Sequence, residues 1–144
     1  MGKTKQMEQL LNTSRYIIDF LPKQVPAKAK GSFSKVESYF LNGPESEQIA
    51  GKFTKIVLKL SCYYKIEICE NERWFSFKSC HKLERRIRRV MRSGSGFLNI
   101  LLESEQILLH ISGGELCMIV YNPSESMQKL LAALAASEGL FWRS

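Results

Sequence analysis

The chain has little to offer acid–base or metal chemistry: one aspartate, Asp19, and two histidines, His81 and His110, in 144 residues. The patterns GxSxG, HExxH, Walker A and the Rossmann glycine fingerprint are all missing, so no catalytic site or cofactor is assigned by motif. Cys62, Cys69, Cys80 and Cys117 are spaced neither as a CxxC metal knuckle nor as a dense disulfide framework, and they read as free thiols. His81 follows Cys80 directly, but consecutive side chains rarely converge on one metal or one reacting atom. Long apolar runs are missing too. Nothing approaches the roughly 18 to 20 apolar residues that span a bilayer, and Met1–Gln9 lacks the apolar centre of a secretory signal, so the cytoplasm is the expected location, with no membrane contact. Met1-Gly2 is not followed by the Ser or Thr that myristoylation wants at the sixth position, which is Gln6.

What is present is a 44% hydrophobic chain of one-domain length, long enough to bury a core without disulfides or metal. Its formal charge of +7 is uneven. Residues 1–59 carry ten Lys/Arg against five acids, residues 60–93 nine against four, and residues 94–144 two against five. A surplus confined to the first two thirds points to a negatively charged partner on one side of the molecule, and it serves solubility as well.

Periodicity organises the rest. A polar lead-in, 1–9, runs into a short helix closed by Leu10 and Leu11. Arg15–Leu21 reads as a strand, rich in aromatic and β-branched residues, and Pro22 ends it. Residues 22–31, with Pro26, Lys23, Lys28 and Lys30, are expected to form a mobile loop. Ser32 or Ser34 can cap a helix through Leu41 that Asn42-Gly43-Pro44 breaks. A longer helix, about Glu45 to Cys62, carries the stripe Ile49, Phe53, Ile56, Val57 and Leu60, with Lys52, Lys55 and Lys59 alongside. From Tyr63 the period becomes two, and Glu70-Asn71-Glu72 turns the chain into Arg73–Lys78 as a hairpin. Ser79 is placed to cap a helix over Cys80–Arg92 that Ser93-Gly-Ser-Gly96 stops flexibly. Three apolar runs within 97–121, joined by short connections, suggest an antiparallel meander. Asn122-Pro-Ser124 opens a last helix that ends at Gly139. Leu140–Trp142 should pack back or pair as an edge strand, and a homodimer interface is the other use of so apolar an end. Glu-Ser-Glu-Gln-Ile occurs at 45–49 and at 103–107, but its neighbours differ and no repeat follows. The expected architecture is α+β: a single domain with a mainly antiparallel sheet, a hairpin plus a three-stranded meander, and helices packed on one face.

The sharpest feature is the helix over 80–92. Wound at about 100° per residue, it sets Lys82, Arg85, Arg86, Arg88, Arg89 and Arg92 on a broad arc opposite Leu83 and Ile87. Arginine forks suit carboxylates and phosphates, so these six are the candidate partner-binding residues; Glu84, four before Arg88, can offset part of the charge. A solvated amphipathic helix has the same pattern. No RNP-type aromatic motif, GxxG loop, zinc finger or repeat code accompanies the charge, although Trp74, Phe75 and Phe77 just upstream could stack bases if exposed. The preferred expectation is a non-enzymatic binding module, of inhibitor, immunity or adaptor type, meeting an acidic protein partner through this helix. RNA or DNA binding by the same face is the second. An enzyme using His110, Asp19 or a thiol is the third: Asp19 could orient His110 only if two distant strands met, and a hydrogen-bonded structural role is the commoner one for each.

Overall fold

The apolar runs after Gly96 become the middle of a seven-stranded antiparallel sheet in a computed structural model that describes residues 2–144. In chain order the elements are α1 (Lys3–Leu10), β1 (Arg15–Asp19), α2 (Lys30–Asn42), α3 (Ser46–Ser61), β2 (Glu67–Glu70), β3 (Arg73–Phe75), α4 (Cys80–Ser93), β4 (Phe97–Leu102), β5 (Ile107–Ser112), β6 (Cys117–Tyr121), α5 (Glu125–Ser137) and β7 (Phe141–Arg143). The sheet runs β3-β2-β4-β5-β6-β1-β7, so the fold is α+β, with the expected hairpin as β2-β3 and the expected meander as β4-β5-β6.

The connections follow from the pairings. β3 and β4 both lie antiparallel to β2, so α4 crosses over that strand; β6 and β7 both flank β1, so α5 does the same there. Alternation along each strand sorts the faces. Leu98, Ile100 and Leu102 of β4, Ile107, Leu109 and Ile111 of β5, and Met118 and Val120 of β6 join one core with α3, α4 and α5. The stripe read from α3 is wholly interior: Ile49, Phe53, Ile56, Val57 and Leu60 are buried. On the other face α1 covers a smaller cluster of Leu10, Leu101, Leu108 and Tyr121, which Trp74 and Ile119 border. The polar lead-in is therefore a helix that shields part of the second face.

Boundaries shift where tertiary packing outweighs local pattern. Residues 22–31 do not stay loop throughout: a 3₁₀ turn at Ala27–Ala29 feeds α2 from Lys30. Phe40 of α2 packs against Phe20 with ring centroids 4.7 Å apart, while Val36 and Tyr39 are exposed. The β2 ladder starts at Glu67 rather than Tyr64, because the Tyr64 amide still donates to the Leu60 carbonyl at the end of α3. The turn between β2 and β3 has φ of 54° at Asn71 and 64° at Glu72, the two positive values of a type I′ hairpin. At the C-terminus Leu140 is buried, Trp142 stacks on Tyr16 and β7 is the edge strand, in keeping with the expectation for that end.

Candidate functional site

Local chemistry alone makes α4 a helix. The Ser79 hydroxyl accepts the Lys82 amide at 3.3 Å, Leu83, Ile87, Val90 and Met91 are buried, and Gly94 at φ 75° closes the C-terminus in the left-handed conformation. The stop is pinned rather than flexible: Ser93 Oγ donates to the Val90 carbonyl and accepts from the amides of Ser95 and Gly96, and the Gly114 amide donates to the Met91 carbonyl at 2.8 Å. Gly113 lies so close that a Cβ there would stand 2.7 Å from Ser93 Oγ.

The six cations of α4 divide into two groups. Arg86 and Arg89 share the carboxylate of Glu70 on β2: Arg86 through Nη1, and Arg89 through Nη2 at 3.1 and 3.2 Å. Arg86 also lies over the Phe75 ring, 4.3 Å from its centroid. Arg88 reaches to the start of α3, with Nη2 3.3 Å from Ser46 Oγ and Nη1 3.9 Å from Glu47; Glu84 does not bridge it. Its Nε is the one buried side-chain polar atom without a hydrogen-bond partner among the described residues. Lys82, Arg85 and Arg92 are exposed and have no acidic group within 4 Å among the described residues. Arg85, Arg88, Arg89 and Arg92, with Asn42 and Ser93, line an open cleft of about 490 Å³ that contains no acid.

On the side of α3 the positive surface is interrupted, whereas toward the start of α4 it continues in a cleft lined by Lys78, Lys82 and Arg86. The groove of about 470 Å³ between α3 and α4 is lined by Lys52, Lys55 and His81 but also by Glu47, Glu84 and Glu138, and Lys59 is bound to Glu138 at 3.0 Å. Lys30 lines a different cavity, with Asp19, Glu37, Glu115, Cys117 and Arg143. The aromatic side chains upstream are half-buried and each has a contact within the fold, although they also line clefts beside Arg73, Lys78 and Lys82. Trp74 Nε1 donates to Thr4 Oγ1 at 2.9 Å beneath α1, Phe75 lies under Arg86, and Phe77 packs against the core.

The groups considered for catalysis do not come together as the sequence allowed. Asp19 Oδ2 accepts from Arg143 Nε and Nη2 at 2.9 and 2.7 Å, which makes it a structural acid tying β1 to β7. Burial pushes the Cys117 thiol up to about 12, and the charges of Glu115 and Asp19 add to the shift, so it stays protonated at neutral pH. Burial also lifts Cys69, while Cys62 and Cys80 are exposed. Burial raises Glu37 as well, with Glu115 and Asp19 contributing. Among the described residues no group of three or more His, Cys, Asp or Glu suited to a metal ion occurs, and no helix is long and apolar enough to cross a membrane.

His110 has partners that the reading of single residues missed: Nδ1 is 2.7 Å from Asn99 Oδ1 and Nε2 is 2.9 Å from Ser112 Oγ. The signal was in the meander, whose turn at Glu103–Glu105 sets residue 99 opposite residue 110 once the strands are paired. Glu70, Glu47 and Asn42, which shape the Arg cleft, carried no such signal. Comparison of the chain with protein-family models, curated proteins and solved structures finds no match, so its function is argued from this geometry alone.

Proposed function

We propose that the chain is a binding module whose α4 face takes an acidic segment of a partner protein, with Lys82, Arg85 and Arg92 as the free cations and Arg86, Arg88 and Arg89 held ready beside them. The observation that carries this reading is the division of the six. Three are tied down by Glu70, Glu47 and Ser46; of the three that are free, Arg85 and Arg92 line the cleft together with Arg88 and Arg89 and no carboxylate, and Lys82 lies one turn before it beside Lys78 and Arg86. Held arginines lose less side-chain freedom on binding than free ones, and bidentate forks suit carboxylates.

Two features favour a short acidic partner over a nucleic acid. Arg85 to Arg92 spans about 10 Å of helix at a rise of about 1.5 Å per residue. On the side of α3, Glu47, Glu84 and Glu138 break the positive tract that a polynucleotide backbone would follow. Trp74, Phe75 and Phe77, the residues suited to base stacking, are engaged within the fold.

The test measures binding of a fluorescent Glu/Asp-rich peptide, and of single-stranded RNA and DNA of equal charge, over a salt series. The native chain is compared with the Lys82→Gln/Arg85→Gln/Arg92→Gln variant. At about 0.5 to 1 kcal/mol for each lost pair, peptide binding weakens by about tenfold to a hundredfold, while Lys52→Gln/Lys55→Gln leaves it unchanged. Oligonucleotides binding more tightly than the peptide, with the same loss in the triple variant, would replace this reading with the nucleic-acid one. No binding of either at low salt refutes both.

A further inference from the structure

The second face of the sheet, away from α4, holds a polar constellation that the binding reading does not use. α1 covers this face over Leu101 and Leu108, which are opposite each other on β4 and β5. Two residues further along the same strands the pair is Asn99 and His110, and two further again it is Phe97 and Ser112. Asn99, His110 and Ser112 therefore share one face just beyond the cover of α1.

Their contacts run in one line. Ser112 Oγ is 2.9 Å from His110 Nε2, and His110 Nδ1 is 2.7 Å from Asn99 Oδ1. Asn99 is only 3% exposed, and its Oδ1 is set toward the ring. An amide oxygen at Nδ1 requires that nitrogen to carry the ring proton, leaving the Nε2 lone pair to accept from the Ser112 hydroxyl. That is the tautomer a base needs. Phe97, half exposed, tilts over the imidazole with centroids 5.5 Å apart and forms an apolar wall beside Ser112. Burial holds His110 below the usual imidazole range against a smaller opposing effect of Glu115, so the ring is neutral at neutral pH.

We propose that Ser112 is a nucleophile activated by His110 and positioned through Asn99, and that it accepts the acyl group of an activated carboxylic ester whose apolar part lies on Phe97. Nucleophile, base and orienting acceptor stand in the order that acyl transfer uses. Ser112 Oγ bonds to the carbonyl carbon as its proton passes to His110 Nε2. The bond to the leaving oxygen breaks, and that oxygen takes the proton from Nε2 and departs as the alcohol. Ser112 is left as an ester, and a water molecule, deprotonated at Nε2 in the same way, releases the acid and restores the hydroxyl.

The experiment mixes the full chain with p-nitrophenyl acetate at neutral pH, follows nitrophenolate release and locates the acetyl group by peptide mapping. Acetyl on Ser112 is expected. Ser112→Ala abolishes it and leaves the slow background of surface amines, and His110→Gln slows it by roughly 10² to 10⁴, the usual span of a general base. Asn99→Ala slows it about tenfold while Asn99→Asp, which keeps the acceptor, rescues it. Circular dichroism verifies that each variant is folded. Imidazole nitrogen shifts of the native chain, which depend on no variant, are expected to show the proton on Nδ1. Acetyl confined to lysines and the amino terminus, at equal rates in native chain and Ser112→Ala, overturns the proposal, as does a ring proton on Nε2.

Discussion

Replacing Glu70 by Gln should act in opposite directions on stability and on partner binding. Among the described residues Glu70 is the only acid bound to Arg86 and Arg89, and its side chain is 11% exposed while theirs are 36% and 63% exposed. The Arg89 contact, at 3.1 Å, is largely in water and is worth about 0.5 kcal/mol. The Arg86 contact is more sheltered, against Phe75, and a charge-assisted hydrogen bond of that kind contributes roughly 1 to 1.5 kcal/mol. Glutamine keeps the shape and one acceptor, so the net loss is about 1.5 kcal/mol, or a fall of roughly 3 to 6 °C in Tm for a domain of this size. Urea unfolding at low and at about 1 M salt is the assay. The Arg89 share should vanish at high salt, where the Debye length shrinks to about 3 Å, while the Arg86 share persists. The same substitution removes one negative charge from the α4 face, a gain that outweighs the looser hold on Arg86 and Arg89, and should tighten binding of an acidic peptide by up to about threefold. A change in unfolding free energy below about 0.5 kcal/mol, or peptide binding that weakens in step with stability, would refute the view that Glu70 holds and partly neutralises the two arginines.

Glu72→Gly should stabilise the fold by about 0.5 to 1 kcal/mol, since Glu72 occupies φ 64° at a cost of about 1 to 2 kcal/mol that glycine avoids, less about 0.5 to 1 kcal/mol for its greater freedom when unfolded; an unchanged urea midpoint would count against the type I′ turn. Gly113→Ala should destabilise by about 2 kcal/mol, because the new Cβ would meet Ser93 Oγ at 2.7 Å and the Val90 carbonyl oxygen at 2.8 Å, and a neutral effect would mean that the end of α4 is not held as described. Two groups, His110 and Glu67, should each withdraw stability on acidification, giving two stages, while the raised Glu37 works in the opposite sense. Burial depresses His110, so the unfolded chain takes up that proton first; its contribution is complete above about pH 6.5 and is lost as pH falls through the lower folded value. Burial alone would raise Glu67, but the Lys65 hydrogen bond, the charges of Lys3 and Lys65 and the Ser76 hydroxyl outweigh it and lower it, so its contribution is complete above about pH 4.5 and is lost below. His110→Gln should flatten only the upper stage and Glu67→Gln only the lower one.

Much of the fold was legible because it rests on local rules. The Ser79 cap and the Leu83, Ile87, Val90, Met91 stripe set α4 from its own sequence, and the three apolar runs of 97–121 with two short connections leave a meander as the simple solution. The position of β1 between β6 and β7 is different. It joins residues a hundred apart, and its sequence specifies a strand but not its neighbours. The basic face was legible as an arc of six cations, yet its working state was not. Which arginines are free depends on Glu70 from the preceding hairpin and on Glu47 and Ser46 from α3, and helical geometry suggested Glu84 for Arg88 instead. His110 was legible as a strand residue, but its partner Asn99 became visible only through the β4-β5 register.

The measurement closest to the central claim is a backbone amide NMR titration of the native chain with an acidic peptide at low salt. The account predicts shifts concentrated in Lys82–Ser93 and around Asn42, with Lys52, Lys55 and the sheet face bearing Ser112 unmoved, and no such shifts in the Lys82→Gln/Arg85→Gln/Arg92→Gln variant. Shifts centred on another face, or retained undiminished in that variant, would contradict it.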